Sequence, residues 1–221
     1  MKALRTLAGR FREPWSGLTH LAGLAAALVG LGLLLASAAR SAPGDTLRMA
    51  SLLVYGLSLV LMFAASSTLH LYNGSQRATQ LLNRIDHAAI YVLIAGSYTP
   101  VCVNLLEGFW RLGMLVIVWA LAAAGIAYKL LIFRHDSIIS TLFYLGMGWM
   151  ALLALPQIVR VFDAAGLALL VGGGALYSTG AIFYSIESRE VFTGFGWHEV
   201  WHLFVLAGST LHYLLILLYV A

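Results

Sequence analysis

Residues 196–220 read GWHEVWHLFVLAGSTLHYLLILLYV, and this stretch decides the class of fold. It contains one acidic residue, Glu199, and no lysine or arginine. A helix needs about 20 mainly apolar residues to cross the hydrocarbon core of a bilayer, so the stretch is long enough to be a transmembrane helix. Its beginning also fits the pattern H-E-x-x-H, from His198 to His202. The stretch therefore combines a predicted membrane span with a histidine pair typical of metal sites.

The composition of the whole chain agrees with that of this stretch. Of its 221 residues, 61% are hydrophobic and 10% are charged, and the mean hydropathy is +0.89. Soluble domains carry about 25% charged residues, so we expect this chain to be dissolved in lipid. The formal net charge is +4. Because the basic residues lie in short gaps between apolar runs, they indicate membrane orientation and no nucleic-acid partner.

Six further apolar runs are long enough to span a bilayer. The sequence therefore predicts an all-α integral membrane protein, a seven-transmembrane helix bundle formed by a single domain over residues 1–221. The end of the first run, LLLASAARSA, also resembles a signal-peptide cleavage site, and cleavage there would leave six helices. The predicted spans are Trp15–Ala39, Leu47–Tyr72, Ile85–Leu106, Leu112–Phe133, Ile138–Val159, Ala164–Ile186 and Gly196–Val220.

The distribution of lysine and arginine predicts the orientation of the bundle. Basic residues are enriched on the cytoplasmic side of membrane proteins, which places the N-terminus in the cytoplasm and the C-terminus outside. The predicted inner side holds nine of the 13 basic residues, namely Lys2, Arg5, Arg10, Arg12, Arg77, Arg84, Lys129, Arg134 and Arg189. The predicted outer side holds Arg40, Arg48, Arg111 and Arg160.

This orientation brings polar residues from three helices to one depth near the inner face. Helix 2 ends near His70, helix 3 begins near Asp86, and helix 7 begins near His198. Residues four apart share a helix face, as do His198 and His202, and Ser66 and His70. Three imidazoles with an open fourth position match a catalytic zinc site. We predict that Zn²⁺ binds these three histidines, that Asp86 accepts a proton from a water, and that Ser66 donates to a substrate carbonyl oxygen or to the metal-bound water.

Each of these polar residues also has a simpler interpretation. Asp86 could pair with a neighbouring arginine or cap helix 3, Ser66 could bond a helical carbonyl, and His20 could make a packing hydrogen bond. Glu199 could be the general base of a zinc protease or could stabilise the start of helix 7 through the helix dipole. Intramembrane zinc proteases also use a Leu-Asp-Gly motif. The sequence lacks it, since Asp86 stands in RIDHAA and Asp163 in VFDAAG.

Four motifs resemble those of the hemolysin III-like membrane proteins, which belong with the progestin and adipoQ receptors in the PAQR family. They are EPWSGLTHLAG at 13–23, SSTLH at 66–70, NRIDHAAIYVLIAGSYTP at 83–100 and HEVWH at 198–202, and the resemblance extends over nearly the whole chain. The resemblance implies a seven-helix bundle with zinc on His70, His198 and His202 near the cytoplasmic face. It implies that Asp86 reaches the metal through water and that Ser66 joins the same cluster. Glu199 is not a defining residue of the family motif.

The resemblance also implies lipid chemistry. Adiponectin-receptor members are similar to ceramide-directed amidohydrolases, and bacterial members have been tied to membrane-lipid homeostasis. We therefore expect a zinc-dependent hydrolase of a lipid-like amide or ester, with membrane lipids as partners, in a bacterial cytoplasmic membrane. Two alternatives stay open: a non-enzymatic receptor or regulator with structural zinc, and a pore-forming hemolysin. A pore needs a continuous polar stripe, whereas the polar groups here concentrate at one end of the predicted bundle.

Overall fold

The computed structural model describes residues 11–131, 138–185, 190–192 and 195–221. Seven helices within these ranges are long and apolar enough to cross a membrane, which confirms the predicted fold class. The helices are α1 Pro14–Ser41, α2 Thr46–Leu71, α3 Gln76–Leu105, α4 Gly108–Leu131, α5 Ile138–Val161, α6 Ala164–Ser185 and α7 Trp197–Tyr219. A short antiparallel pairing of β1 (Glu190–Phe192) with β2 (Phe195–Gly196) precedes α7.

Some of the sequence predictions fall outside the described residues. The predicted last residues of the fourth and sixth spans are among them, and so is much of the basic cluster used for orientation. The residues concerned are Lys2, Arg5, Arg10, Phe133, Arg134, Ile186 and Arg189. The cytoplasmic placement of the N-terminus therefore remains a prediction.

The third helix begins at Gln76, nine residues before its predicted start at Ile85. Ser75 caps it, with its hydroxyl oxygen accepting from the Ala78 backbone N–H at 3.3 Å. Residues 76–84 are too polar for an apolar run, but most of them are good helix formers. Asp86 therefore lies about three turns inside α3, which excludes the interpretation that it caps the helix.

Arg84 and Lys129, two of the basic residues assigned to the predicted inner side, lie within helices. Arg84 lies within α3, and its guanidinium donates to the backbone carbonyl oxygen of Leu130 at 3.2 Å. Lys129 lies within α4 and is 0% exposed. Its ammonium nitrogen is buried as well, and the residue lines the cavity that holds the histidines. The apolar run that begins at Ile85 excludes Arg84, whereas Lys129 lies inside the predicted span Leu112–Phe133.

Two glycines of α1 bring it close to α2 and α7. A Cβ atom at Gly17 would touch the side chain of Leu71 at the end of α2. Further along, Gly30 lies against the ring of Tyr213 in α7, whose hydroxyl donates to the Gly30 carbonyl oxygen at 3.0 Å. Small residues allow close helix approach in lipid. The first turns of α1 therefore lie directly beside the polar ends of α2 and α7.

The fifth helix is interrupted. It is α-helical over Ile138–Trp149, tightens to a 3₁₀ turn over Met150–Ala154, and resumes over Leu155–Val161. The Tyr98 hydroxyl of α3 accepts from the Ala151 N–H at 2.9 Å and donates to the Gly148 carbonyl oxygen at 2.7 Å. Pro156 stands in the first turn of the second segment, where its missing N–H costs nothing. The 3₁₀ segment ends directly before this turn.

Candidate metal centre

Three histidines converge at one end of the bundle. His70 lies in the last turn of α2, and His198 and His202 lie one turn apart at the start of α7. Each offers a ring nitrogen, and these atoms lie within 4.8 Å of one another. The Nε2 atoms of His198 and His202 are 3.1 Å apart. His70 and His202 are 4% and 2% exposed, so the cluster is largely shielded from solvent.

Glu13, which the sequence analysis assigned no role, contacts this cluster. Its carboxylate forms a hydrogen bond with Nδ1 of His70, and its backbone N–H donates to the His70 carbonyl oxygen at 2.9 Å. Burial would raise the pKa of Glu13, but the bond to His70 and the nearby charges, including Arg12, outweigh it and lower the pKa to about 2. An ionised carboxylate can only accept, so Nδ1 of His70 carries the proton. This leaves Nε2 as the ligand atom of His70.

His20 and Ser66 form a second layer on the cluster. The ring of His20 stacks on that of His202, with centroids 3.8 Å apart and planes inclined by 26°. Nδ1 of His20 lies 2.8 Å from the hydroxyl oxygen of Ser66. The neighbouring Ser67, by contrast, bonds the carbonyl oxygen of Ala64. Ser66 thus lies among the histidines, and His20 does more than make a packing hydrogen bond.

A pattern on α1 could have revealed this layer. Glu13, Ser16 and His20 stand at positions i, i+3 and i+7, which is the spacing of one helix face. Ser16 and His20 are buried. Polar residues with this spacing at the start of a membrane span point towards the protein interior, since they are costly on a lipid-facing side.

Both carboxylate oxygens of Glu199 are engaged away from the histidines. Oε1 accepts from the Ser16 hydroxyl at 2.9 Å, and Oε2 accepts from the Gly196 N–H at 2.7 Å. The second bond caps α7, because it satisfies a backbone donor at the start of the helix. This geometry favours a capping role for Glu199 over that of a general base.

Asp86 lies near the three histidines without being one of the converging groups. Its side chain is 14% exposed, and Oδ2 is 3.9 Å from Nδ1 of His87. It lines the same cavity as His70 and interacts electrostatically with His198. Asp86 therefore borders the same cavity as the histidines.

The histidines stand at the polar end of a cavity of about 980 Å³. Its middle is lined by apolar side chains such as Met62, Leu93 and Val205, and its far end by Tyr177 and His212. His212 is ten residues beyond His202 on α7, about 15 Å along the helix axis. The cavity is therefore long, with the histidines at one end, polar groups again at the other and apolar side chains between them.

The residues of this centre fit a bound zinc ion. A tetrahedral ion with zinc–nitrogen bonds of 2.0–2.1 Å separates its ligand nitrogens by about 3.3 Å. The Nε2 atoms of His198 and His202 are 3.1 Å apart, slightly closer than this distance. The ligand nitrogens of all three histidines lie within 4.8 Å of one another, a limit above this distance. Three imidazoles are a common ligand set of catalytic zinc, although ligand type alone also suits other first-row metals.

The fold and the centre define a class: a multi-pass integral membrane protein of seven helices, with a three-histidine cluster at one end. Comparison with known families narrows this class. Residues 9–213 match the family described as Haemolysin-III related. The chain belongs to this family, which confirms the resemblance that its motifs carry.

Bacterial and animal proteins are among the relatives. The "Hemolysin-3 homolog" of Bacillus subtilis (strain 168) is 37% identical over 204 residues, which is 92% of each chain. "Hemolysin-3" of Bacillus cereus is 35% identical over 205 residues, or 93% of this chain and 90% of that protein. The human "Monocyte to macrophage differentiation factor", a PAQR-related protein, is 29% identical over 165 residues, or 72% and 66% of the two chains. A bacterial cytoplasmic membrane location is consistent with the bacterial relatives.

Proposed function

We propose that the chain is a zinc-dependent hydrolase that cleaves a lipid-like amide or ester. One observation carries the proposal: three histidine nitrogens converge at one end of a long cavity that Asp86 also lines and whose walls include apolar side chains such as Met62, Leu93 and Val205. A structural zinc site is normally closed by four protein ligands, whereas three ligands beside a cavity are typical of catalysis. Among the described residues, only three converge.

The three histidines would hold the ion. When bound, zinc polarises a carbonyl oxygen and brings the pKa of a bound water near neutrality. Glu13 keeps the proton of His70 on Nδ1 and so keeps the lone pair of Nε2 directed at the cluster. His20 stacks on His202 and limits rotation of that ring.

Asp86 would carry the proton. In the hydrolysis of an amide, a water oxygen bonds to the carbonyl carbon and the carbon–nitrogen bond breaks. Asp86 takes one proton from that water and passes it to the leaving nitrogen, which departs as an amine and leaves a carboxylic acid. For an ester, the same transfer releases an alcohol. Such proton transfer by a positioned carboxylate contributes roughly 10²–10⁴-fold to the rate.

Ser66 would bind the substrate carbonyl. If Nδ1 of His20 donates to the Ser66 hydroxyl oxygen, the O–H of Ser66 is free to donate in turn. Both side chains line the cavity. Ser66 would then orient the scissile carbonyl, while the apolar walls hold the attached hydrocarbon chain. A bilayer lipid is the natural source of such a substrate, which accords with a role in membrane-lipid homeostasis.

Turnover of defined lipids tests this proposal. Protein reconstituted in nanodiscs with one equivalent of zinc is incubated with a synthetic N-acyl lipid and a matched ester, and free fatty acid is measured by mass spectrometry. We expect the wild type to release fatty acid, and Glu107→Gln, a change at an exposed residue outside the cavity, to do so as well. The rate should fall about 100-fold or more in Asp86→Asn. Metal retention without any release from either substrate would contradict the hydrolase and favour a structural zinc.

The printed name of the Bacillus cereus relative favours a second candidate, a pore-forming hemolysin. A pore would leak small solutes from vesicles whether or not zinc is present. Dye release from vesicles containing the wild type, and equally from those containing His202→Ala, would support this candidate. Tight vesicles at the same protein density would exclude it.

A further inference from the structure

We propose that the first turns of α1 form the outer shell of the metal centre, with Glu13 as the positioning residue of His70. The inference rests on the metal binding in the proposed function, but it does not require hydrolysis. Among the described residues, α1 supplies none of the three converging nitrogens. It nevertheless contacts both helices that do.

Glu13 attaches α1 to the end of α2 at two points. Its carboxylate bonds Nδ1 of His70, and its backbone N–H bonds the carbonyl oxygen of the same residue. A histidine ligand usually donates its second ring N–H to a carboxylate or carbonyl, which fixes the tautomer, orients the ring and makes the ligand nitrogen more basic. Glu13 occupies this place for His70.

Ser16 and His20 attach the same face of α1 to α7. Ser16 donates to Glu199, one residue after His198, at 2.9 Å. His20 stacks on the ring of His202 and is held by Ser66 of α2. The first two turns of α1 therefore contact the elements that carry all three histidines. Displacement of α1 would change the separation of His70 from the pair on α7.

This arrangement predicts a specific effect on metal affinity. Loss of an outer-shell partner typically weakens metal binding by about 10–100-fold. We expect a loss of that size in Glu13→Ala and a smaller one in Glu13→Gln, because glutamine keeps an acceptor oxygen but not the negative charge. The matched control is Glu107→Gln, a change to an exposed carboxylate outside the cavity.

Titration of metal-free protein in detergent with Co²⁺ tests the inference. Visible absorption reports both the affinity and the ligand environment of cobalt, and melting of each metal-free variant is measured beside it. The expected result is weaker Co²⁺ binding in both Glu13 variants, a changed absorption band at saturation, and wild-type behaviour in Glu107→Gln. A merely structural role of Glu13 would lower the melting temperature without changing the affinity or the band.

Two results would overturn the inference. In the first, both Glu13 variants bind Co²⁺ within about twofold of the wild-type affinity, while His202→Ala does not bind it. This result leaves the metal centre of the proposed function intact and removes only the role of Glu13. The other is absence of metal binding in the wild type itself, which removes the metal centre and this inference together. If Glu13→Ala does not fold, Glu13→Gln decides alone, since it preserves the size of the side chain.

Discussion

Histidine serves three purposes in this chain, and the neighbours of each histidine determine which purpose it serves. His202 faces two further imidazoles, with its Nε2 atom 3.1 Å from that of His198. His20 lies over the opposite face of the His202 ring and bonds Ser66. His212, on the same helix as His202, has its Nε2 atom 3.2 Å from the carbonyl oxygen of Leu170. The bonds of His20 to Ser66 and of His212 to Leu170 each join residues more than 40 positions apart.

The Glu199→Gln variant tests the capping role of Glu199. We expect it to retain the metal and to lose about 1 kcal/mol of stability, because a charge-assisted bond to Ser16 is weakened while the side-chain length is kept. Elemental analysis and thermal melting in detergent measure the two quantities. Loss of metal from a variant with unchanged melting would mean that Glu199 acts on the metal centre directly.

The candidate ligands could be predicted from the sequence, and a polar face of α1 is visible in it, but the partners of that face in α2 and α7 could not be predicted. His198 and His202 share a face by spacing alone, and the ends of the apolar runs place His70 at the same depth. Glu13 stands before its apolar run, so nothing local marks it as a partner of a residue in α2. Its role depends on the approach of α1 to α2 at Gly17, which is a tertiary contact.

At the scale of elements, α5 depends on a hydroxyl group from α3. Its 3₁₀ segment frees backbone groups, and in lipid each unsatisfied group is costly. The Tyr98 hydroxyl satisfies the Ala151 N–H and the Gly148 carbonyl oxygen at the break. Pro156 suits the first turn of the helix that resumes after the break, whereas nothing in the sequence near residue 151 identifies Tyr98 as the partner.

We expect Tyr98→Phe to destabilise the bundle by about 1–3 kcal/mol, the cost of leaving buried polar groups unsatisfied. The matched control is Tyr219→Phe, which removes a hydroxyl that bonds Asp163 at an exposed site. Melting temperatures in one detergent measure both effects. An equal fall in the two variants would contradict the role assigned to Tyr98.

Two glycines test the close packing of α2 against α3. A Cβ atom at Gly96 would lie 2.7 Å from Cβ of Ser58, whereas one at Gly32 would meet no atom within 4 Å. We expect Gly96→Ala to cost about 1–3 kcal/mol through overpacking and Gly32→Ala to be neutral or stabilising through its better helix propensity. Unfolding in detergent distinguishes them. Similar stabilities of the two variants would show that α2 and α3 separate without cost.

The start of α3 shows the limit of hydropathy as a guide to elements. The apolar run begins at Ile85, but the helix begins at Gln76 behind a serine cap. Ser75 is a residue type that often caps helices, but the predicted start was taken from the length of the apolar run alone. The number of membrane-spanning helices was predictable, because every segment that crosses the lipid must pair its own backbone N–H and C=O groups and so forms a helix.

For the whole molecule, the orientation predicted from basic residues puts the histidine cluster near the cytoplasm. With Cys102 replaced by alanine, single cysteines report the side of each loop. In spheroplasts, Pro43→Cys is expected to react with a membrane-impermeant maleimide, and Asn73→Cys only after lysis. The reverse pattern would place the metal centre at the outer face.

The metal content of purified protein tests the central claim most directly. The wild type, His202→Ala and His212→Ala are purified in detergent without chelators, and first-row metals are measured by elemental analysis. The account predicts about one zinc per chain in the wild type and His212→Ala, and none in His202→Ala. A wild type without stoichiometric metal, or a His202→Ala variant that keeps it, would contradict the proposed metal centre.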